Sequence, residues 1–361
     1  MNRFLSFALV VGLLSCLGME CPQGGTIGIP SGGGELEGTV SQVTGERIIA
    51  PSASSTSSGS VDGMATFALS DELDGEKSFS MFLNGNAACF SNAMRLKPGI
   101  NKAGEFMVLA RNAADCEEID QYFVRVFEDA TRINGDQQPV RTALLEGPKF
   151  SAFGDVQMTV DPDLDLIYVV SPPPSGETFV WKIFVYEGVS LASFDGSVSP
   201  ARTIVMPSGE RPKLTQITSD DALLYNYSGF NRIPNISQRD GELASAEIEE
   251  FSFSDIAAFD IDSEGRVWLL TVKSTTLGQP LTALVRRLTA DFSDEDLTVL
   301  VTYDGFPGNI HVDSKGAVYI YAGGDLRIYD TIESGTADTM LEPTRVVSSV
   351  YFASSAFILV D

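Results

Sequence analysis

Short apolar segments separated by polar turns fill the chain from about residue 62 onward. The segments are rich in Val, Ile, Phe and Tyr, and Gly, Asp, Asn, Ser or Pro lies at their ends. Branched and aromatic side chains favour strands, and the residues at the ends favour turns between them. The pattern therefore predicts an all-β fold for residues 62–361, with almost no helix.

One strand–turn–strand unit recurs along this region. Its clearest copy spans residues 259–270, and copies of it occur near residues 107, 161, 218, 262, 313 and 356. A repeat of roughly 40 to 60 residues that holds four short strands is typical of a propeller blade. One four-stranded sheet cannot cover both of its own faces, so such units must stack around an axis. We therefore predict a β-propeller of six four-stranded blades, with five or seven as alternatives.

The turn inside this unit has a structural interpretation. We expect Gly265 and Gly316 to adopt positive φ, and the aspartate three residues before each of them to accept hydrogen bonds from turn amides. In the copies near residues 161 and 218, Leu164 and Ala222 stand near the place of the glycine. The turn residues are therefore expected to shape the blades rather than to carry chemistry.

A second element, Pro-x-Arg, follows an apolar strand and a polar loop at three places, beginning at Pro139, Pro200 and Pro343. Because proline lacks the amide that a central strand must donate, we expect each one to begin an outer or entering strand. This series of strands, turns and Pro-x-Arg elements resembles bacterial secreted NHL-like propellers of the six-bladed, TolB-like kind. The resemblance covers roughly residues 100–361. The Pro-x-Arg element is not evident in the copies near residues 218 and 262.

The N-terminal segment looks like a bacterial lipoprotein signal. Arg3 precedes an apolar stretch at residues 4–14, which is too short to span a bilayer but suits a signal peptide. Cys16 follows Leu-Leu-Ser, where a lipobox places the cysteine that is acylated. We predict a signal peptide at residues 1–15 and a Gly/Ser-rich flexible tether at residues 16–61, with room for one short strand near its end. Cleavage without acylation and an uncleaved anchor are the alternatives.

These features predict a location in the bacterial cell envelope. The N-terminal lipid would attach the protein to a membrane, on the periplasmic side or at the outer surface, and the protein would be secreted if Cys16 is not acylated. Export also permits disulfides. Cys89 and Cys116 lie in similar polar loops, and we predict that they pair. Cys21 is then unpaired, or linked to Cys16 if that residue carries no lipid.

The charge and the histidine content exclude several functions. A formal net charge of −25 favours solubility and repels polyanions, so nucleic acid is not an expected partner, and we expect a monomer. His311 is the one histidine. A Ser-His-Asp or Cys-His catalytic pair would have to use it, and a zinc site with several histidines is impossible within one chain. Because His311 lies beside Val312 on a predicted strand, we expect a structural role for it.

One acidic cluster has the spacing of a cation site. Asp161, Asp163 and Asp165 alternate as Asp-x-Asp-x-Asp, and Ca²⁺ prefers such oxygen ligands. An EF-hand loop would require glycine and glutamate where this chain has Leu166 and Pro172, so the EF-hand is excluded. We interpret the cluster as an acidic hairpin turn and keep Ca²⁺ binding as the alternative. The sequence predicts no other cofactor.

Two functions remain open. The first is a non-catalytic binding or interaction module for a protein, a glycan or a small ligand, because the repeats consist of structural residues and no nucleophile lies near a base. The second is a metal-dependent hydrolase or lactonase with one divalent cation in the central channel. Propeller lactonases hold calcium or zinc in that way, and Asp155, Asp255 and Asn309 are candidates here, although no pattern assigns them as ligands.

Overall fold

The computed structural model describes the chain in segments. They are residues 47–56, 59–68, 75–76, 81–84, 98–110, 121–128, 138–149, 156–174, 179–274, 281–289, 291–292, 294–303, 307–322, 325–336, 338–348 and 358–360. These residues form 28 strands and two short 3₁₀ helices, Ile236–Gln238 and Ser245–Glu247. None of them forms a helix that is long and apolar enough to cross a membrane. The strands form six sheets, here named blades 1 to 6 in chain order.

The first three blades each contain four antiparallel strands. Blade 1 contains, in sheet order, β28 (Ile358–Val360), β1 (Arg47–Thr56), β2 (Gly59–Ala68) and β4 (Met81–Asn84). Blade 2 contains, from its inner strand outward, β5 (Gly99–Ile100), β6 (Phe106–Ala110), β7 (Tyr122–Phe127) and β8 (Arg141–Leu145). Blade 3 contains β9 (Gln157–Asp161), β10 (Leu166–Ser171), β11 (Lys182–Glu187) and β13 (Arg202–Val205).

The last three blades repeat this order. Blade 4 contains β14 (Lys213–Ile217), β15 (Ala222–Asn226), β16 (Phe230–Pro234) and β18 (Glu249–Phe251). Blade 5 contains β19 (Ile256–Ile261), β20 (Val267–Ser274), β21 (Leu281–Leu288) and β22 (Glu295–Tyr303). Blade 6 contains β23 (Pro307–Val312), β24 (Val318–Ala322), β25 (Asp325–Tyr329) and β27 (Arg345–Ser348).

The inner strands follow one another around an axis. Beginning with β5, each inner strand contacts the next, through β9, β14, β19 and β23 to β28. The last strand, β28, pairs with β1, so blade 1 joins the C-terminal end of the chain to the first described residues. This closure removes two free sheet edges. The architecture is a β-propeller of six blades, which confirms the predicted fold class.

Short parallel strands cover the outer edges of four blades. Each comes from the connection between the third and fourth strands of the next blade: β12 (Gly196–Val198) pairs with β8, β17 (Gly241–Glu242) with β13, β26 (Met340–Leu341) with β22, and β3 (Gly75–Glu76) with β27. We call them capping strands. An uncovered outer strand offers unpaired amides and carbonyls to other chains, and the capping strands occupy these groups.

The Pro-x-Arg elements begin outer strands, as predicted. The arginine of each element is the first residue of β8, β13 or β27. Each of these arginines forms an ion pair with a carboxylate of its own blade: Arg141 with Glu105, Arg202 with Glu187, and Arg345 with Asp330. The element therefore joins the start of the outer strand to the strands inside it.

A polar side chain organises the turn between the first and second strands of five blades. Asn101, Asp161, Thr218, Asp262 and Asp313 occupy this position, and all five are buried. Each accepts hydrogen bonds from backbone amides two to four residues further along. The predicted role of the two aspartates in blades 5 and 6 is confirmed, and the same role extends to blades 2, 3 and 4.

The residue that ends this turn has positive φ in every one of these blades. Gly265 and Gly316 have φ of 78° and 83°, as predicted. Their counterparts in blades 3 and 4 are Asp165 and Asp221, with φ of 58° and 60°, so the alignment to Leu164 and Ala222 was one residue out. Aspartate tolerates this conformation better than most residues, and a serine from a later loop binds each of these carboxylates.

The core lies between blades. All six residues of β10 are buried: Ile167 and Val169 pack in a cluster with blade 2, whereas Tyr168 and Val170 pack in a cluster with blade 4. Comparable clusters join blades 4 and 5 and blades 5 and 6. Burial on both faces explains why the sequence shows continuous apolar runs in place of strict alternation.

The start of the body differs from the prediction. We predicted a flexible tether through residue 61, but Arg47–Thr56 forms β1 and Gly59–Ala68 forms β2, which pair along their whole length. A ladder of backbone hydrogen bonds does not need apolar side chains, so the Ser-rich composition was a poor guide there. The predicted signal peptide, the acylated Cys16, and the Cys89–Cys116 pair lie outside the described residues.

Candidate functional site

Polar side chains connect the inner strands of neighbouring blades. The hydroxyls of Thr159 in β9 and Thr215 in β14 form a hydrogen bond with each other, and the Thr159 hydroxyl also donates to the Thr215 carbonyl. One strand further, the Gln216 side chain donates to Oδ1 of Asp260 at 2.9 Å. These contacts place a line of hydrogen bonds across blades 3, 4 and 5 beside the axis.

Asp260 and His311 continue this line into blade 6. Both side chains are almost fully buried, and Nδ1 of His311 lies 3.0 Å from Oδ2 of Asp260, which also accepts the amide of Val312 at 2.9 Å. Nε2 of His311 lies 3.3 Å from Nδ2 of Asn309. If His311 donates through Nδ1, the amide of Asn309 donates to its other nitrogen, and every group has a matching partner. The pair therefore links two blades, consistent with the expected structural role.

Two carboxylates of the acidic turn of blade 3 accept hydrogen bonds, one from the turn itself and one from a later loop. Oδ1 of Asp161 accepts the amides of Asp163 and Leu164, and both oxygens of Asp165 accept hydrogen bonds from Ser190. Burial raises the pKa of Asp161, although the turn amides oppose this effect. Asp161 and Asp165 thus have different partners, and the three aspartates do not form a group able to hold a metal ion.

The other residues considered for a metal are also separate. Asp255 is exposed at a positive φ of 58° and accepts a hydrogen bond from Ser254, whereas Asn309 lies within β23. Asp155 lies outside the described residues. Across the described segments, no three His, Cys, Asp or Glu side chains form a group able to hold a metal ion.

A groove lies where the outer part of blade 2 meets blade 3. We define it by Gly147, Lys149, residues 172–174, Lys182 and Phe184, which line a cavity of about 420 Å³. A second cavity of about 430 Å³ shares Gly147, Lys149 and Pro174 with the first and extends along β8. Pockets for small ligands in proteins range from about 300 to 1,000 Å³. The groove therefore has room for a molecule of the size of a sugar.

A close backbone approach shapes the floor of the groove. Gly147 has φ of +121°, and a Cβ atom added there would lie 2.7 Å from the ring of Phe184. Only glycine fits, because any side chain would displace the ring. Three prolines at residues 172–174 form one wall, so the groove combines flat apolar surfaces with the two lysine ammonium groups.

The charges around the groove are uneven. Lys149 and Lys182 are exposed, and neither forms an ion pair with any described residue. The lining of the first cavity contains no carboxylate, whereas Glu146 lines the second. Ser197 and Ser199 donate to the Glu146 carboxylate at 2.6 Å each, and these hydrogen bonds lower its pKa. The first cavity is thus a local cationic site on a protein with a net charge of −25.

Only part of this site could be predicted from the sequence. The three prolines were visible as a stiff loop, but nothing in the pattern related Lys149, which follows β8 in blade 2, to Lys182, which begins β11 in blade 3. The inner-strand line was missed for the same reason, although His311 itself was singled out. A signal for the groove was available in Gly147-Pro148-Lys149, because a glycine at the end of an outer strand marks a close approach.

Comparisons with known proteins support the fold. No family model matches the chain, and no curated protein matches it. Among solved structures, a Bacteroides caccae protein of unknown function aligns with a TM-score of 0.50 at 11% identity, covering 88% of this chain and 99% of that one. At this identity the similarity shows the propeller fold alone.

Two further structures carry names of lactonases. A putative 6-phosphogluconolactonase from Bacteroides uniformis has a TM-score of 0.45 at 11% identity, covering 87% of this chain and 99% of that one. A gluconolactonase from Xanthomonas campestris has a TM-score of 0.38 at 13% identity, covering 72% of this chain and 79% of that one.

Proposed function

We propose that this protein is an exported, lipid-anchored propeller of the NHL-like kind that binds a small organic anion in the groove and performs no chemistry on it. The observation that carries the proposal is the pair of lysines, Lys149 and Lys182, beside a cavity of about 420 Å³ whose lining has no carboxylate. The ligand would place its negative group between the ammonium groups and its body against the prolines and Phe184.

The lysines are the part of the site that selects charge. An exposed ion pair contributes about 0.2–1 kcal/mol, so two of them favour an anion over a neutral molecule of the same shape by up to about 2 kcal/mol. This upper limit corresponds to roughly a thirtyfold difference in affinity. The surrounding acidic surface repels anions, so the preference depends on these two side chains.

Calorimetric titration with glucuronate and with glucose tests the proposal, because the two sugars share a ring and differ in the carboxylate. We expect glucuronate to bind about tenfold more tightly, and the difference to shrink as salt is added. Lys149→Gln with Lys182→Gln should remove the difference. Lys102→Gln is the matched control, since Lys102 is exposed in a turn of blade 2. Equal binding of both sugars, or no binding of either, would contradict the proposed ligand class.

The lipid anchor at Cys16 is a separate part of the proposal. Labelled palmitate should enter the protein in bacterial cells, and Cys16→Ser should abolish the labelling and release the protein from the membrane fraction. Ser15→Ala is the control, because it keeps a small residue before the cysteine. Labelling that persists in the Cys16→Ser variant would refute acylation at that residue.

Metal-dependent hydrolysis is the second candidate, because Asp260, His311 and Asn309 bring a carboxylate, an imidazole and an amide together beside the axis. As they stand, these residues do not fit a metal site, because the Asp260 oxygens accept N–H groups from three partners. Metal analysis of the purified protein, a thermal shift with Ca²⁺, and turnover of a sugar lactone provide the test. A bound divalent ion together with lactone turnover would overturn the non-catalytic proposal.

A further inference from the structure

The outer edge of blade 4 differs from the outer edges of blades 2, 3, 5 and 6. Each of those four edges pairs with a capping strand from the next blade. Blade 4 ends at β18, and within the described part of the chain no strand pairs with the outer side of β18. The outer strand of blade 1, β4, is left out of this comparison. A capping strand for β4 would come from the connection between β7 and β8 of blade 2, and residues 129–137 of that connection lie outside the described residues.

The length of one connection accounts for this difference. In blades 3, 4 and 6, the third and fourth strands are joined by residues 188–201, 235–248 and 330–344, and each of these connections supplies a capping strand. In blade 5 the corresponding connection is only residues 289–294. It joins β21 to β22 as a tight hairpin and is too short to reach the preceding blade, blade 4, as a strand.

Phe292 of this hairpin covers the side chains of blade 4 instead. It is 7% exposed, has a positive φ of 58°, and its ring lies 5.5 Å from that of Phe251 and 6.0 Å from that of Phe230, centre to centre. The guanidinium of Arg232 lies 5.9 Å from the centre of the same ring. The Phe292 side chain therefore covers the apolar side chains of blade 4, but it cannot form hydrogen bonds with the backbone of β18.

The exposed edge is short and acidic. Glu249 and Glu250 are exposed and Phe251 is half-buried. Glu249 pairs with Arg232, and its side chain is still 48% exposed, whereas Glu250 forms no ion pair with any described residue. An unpaired strand edge is a template for an added strand, and its side chains select the sequence that adds.

We propose that the edge of β18 accepts an extended, lysine- or arginine-bearing segment of a partner protein as an added strand. The segment would run parallel to β18, because all four capping strands run parallel to the outer strands they cover. The acidic residues favour a basic segment, and the net charge of −25 disfavours a second copy of this chain. The site is separate from the groove and does not depend on the ligand proposed there.

Fluorescence anisotropy with a labelled peptide of alternating lysine and valine tests this proposal on the full chain. We expect saturable binding that weakens at least tenfold when alternate peptide amides are N-methylated, because methylation removes the hydrogen bonds of one strand edge. Glu250→Lys should also weaken binding at least tenfold. Glu242→Lys is the matched control, since Glu242 is an exposed glutamate on the capping strand β17, and it should change binding by less than twofold.

Hydrogen exchange shows where the peptide binds and distinguishes a partner segment at β18 from the other possible occupants of that edge. The peptide should slow exchange at residues 249–251 and leave the groove unchanged. Equal binding of the methylated peptide, equal effects of Glu250→Lys and Glu242→Lys, or protection confined to other blades would overturn the proposal. So would slow exchange, in the free protein, at those amides of residues 249–251 that point away from β16. Protection that is independent of protein concentration would indicate an intramolecular segment, and protection that rises with concentration would indicate a second copy.

Discussion

Asp262→Ala is expected to destabilise the propeller strongly, because this carboxylate accepts four hydrogen bonds from the turn and from the strand that follows it. Oδ1 accepts the amides of Glu264 and Arg266 at 3.0 and 2.9 Å. Oδ2 accepts Nε of Arg266 at 2.8 Å and the indole Nε1 of Trp268 at 2.9 Å. Alanine removes all four acceptors at a site where only 3% of the carboxylate side chain is exposed.

The size of this loss in stability depends on which of the four donors can bind water once the carboxylate is removed. Trp268 is 2% exposed, so its indole N–H loses its partner and stays buried, which costs about 1–3 kcal/mol. The two amides lie in a surface turn and bind water in place of the carboxylate, so the loss of each of these hydrogen bonds costs about 1 kcal/mol. The Arg266 side chain is 27% exposed, and its ion pair contributes little. The sum is about 3–5 kcal/mol.

Urea unfolding followed by circular dichroism measures this loss, and a double-mutant cycle assigns it. Trp268→Phe removes the indole donor, so the loss from Asp262→Ala should be smaller by about 1–2 kcal/mol in the Trp268→Phe background. Asp262→Asn should lose less than alanine, because Asn101 performs the same role in blade 2. Glu264→Ala is the control at a 67% exposed side chain. A loss below about 1 kcal/mol, or no coupling to Trp268, would refute the reasoning.

Three further predictions concern other contacts. His311→Phe should cost about 2 kcal/mol in urea midpoint measurements, because Asp260 stays buried with one donor fewer; an unchanged midpoint would contradict the inter-blade role. Burial raises the pKa of Glu105, but hydrogen bonds from Arg141 and Asn101 outweigh burial and lower the pKa overall. Ionised Glu105 therefore stabilises the folded protein above the pKa of this group in the unfolded chain, and this contribution is lost as the pH falls through its pKa in the folded protein. Glu105→Gln should therefore flatten the acid limb of a stability–pH curve, and an unchanged limb would contradict this. Asp221→Ala should melt lower than Asp221→Gly, since only alanine is strained at φ 60°, and the reverse order would exclude strain as the cause.

The fold was predictable because its signals are local. Burial of both faces of each blade gives apolar runs, and the recurring turn gives a period, so the propeller and its six units follow from the pattern. The capping strands gave no such signal: β17 and β26 have two residues each, and Gly241 and Glu242 are exposed. The αL position was misaligned because an aspartate with a serine partner replaces glycine, which only the later loop reveals.

The site was less predictable, because it depends on contacts between distant residues. Lys149 and Lys182 become neighbours of one cavity only when blades 2 and 3 pack together. Asp260 and His311 lie 51 positions apart and meet through the order of the inner strands. The prediction that His311 would be structural rested on its neighbour Val312 alone, and no pattern in the sequence identified Asp260 as its partner.

Differences between blades decide where this propeller is able to bind anything. Residues that recur in blades 2 to 6, such as the polar turn residue and the strand core, contact one another and leave few groups free for a ligand. The groove lies where Gly147 and three prolines interrupt the pattern between blades 2 and 3. The open edge lies where blade 5 has a tight hairpin in place of a long connection. The short connection of blade 5 places Phe292 against Phe230 and Phe251 of blade 4, and no described strand covers the outer side of β18. One short connection therefore packs an aromatic ring onto blade 4 and leaves its outer strand without a capping strand from blade 5.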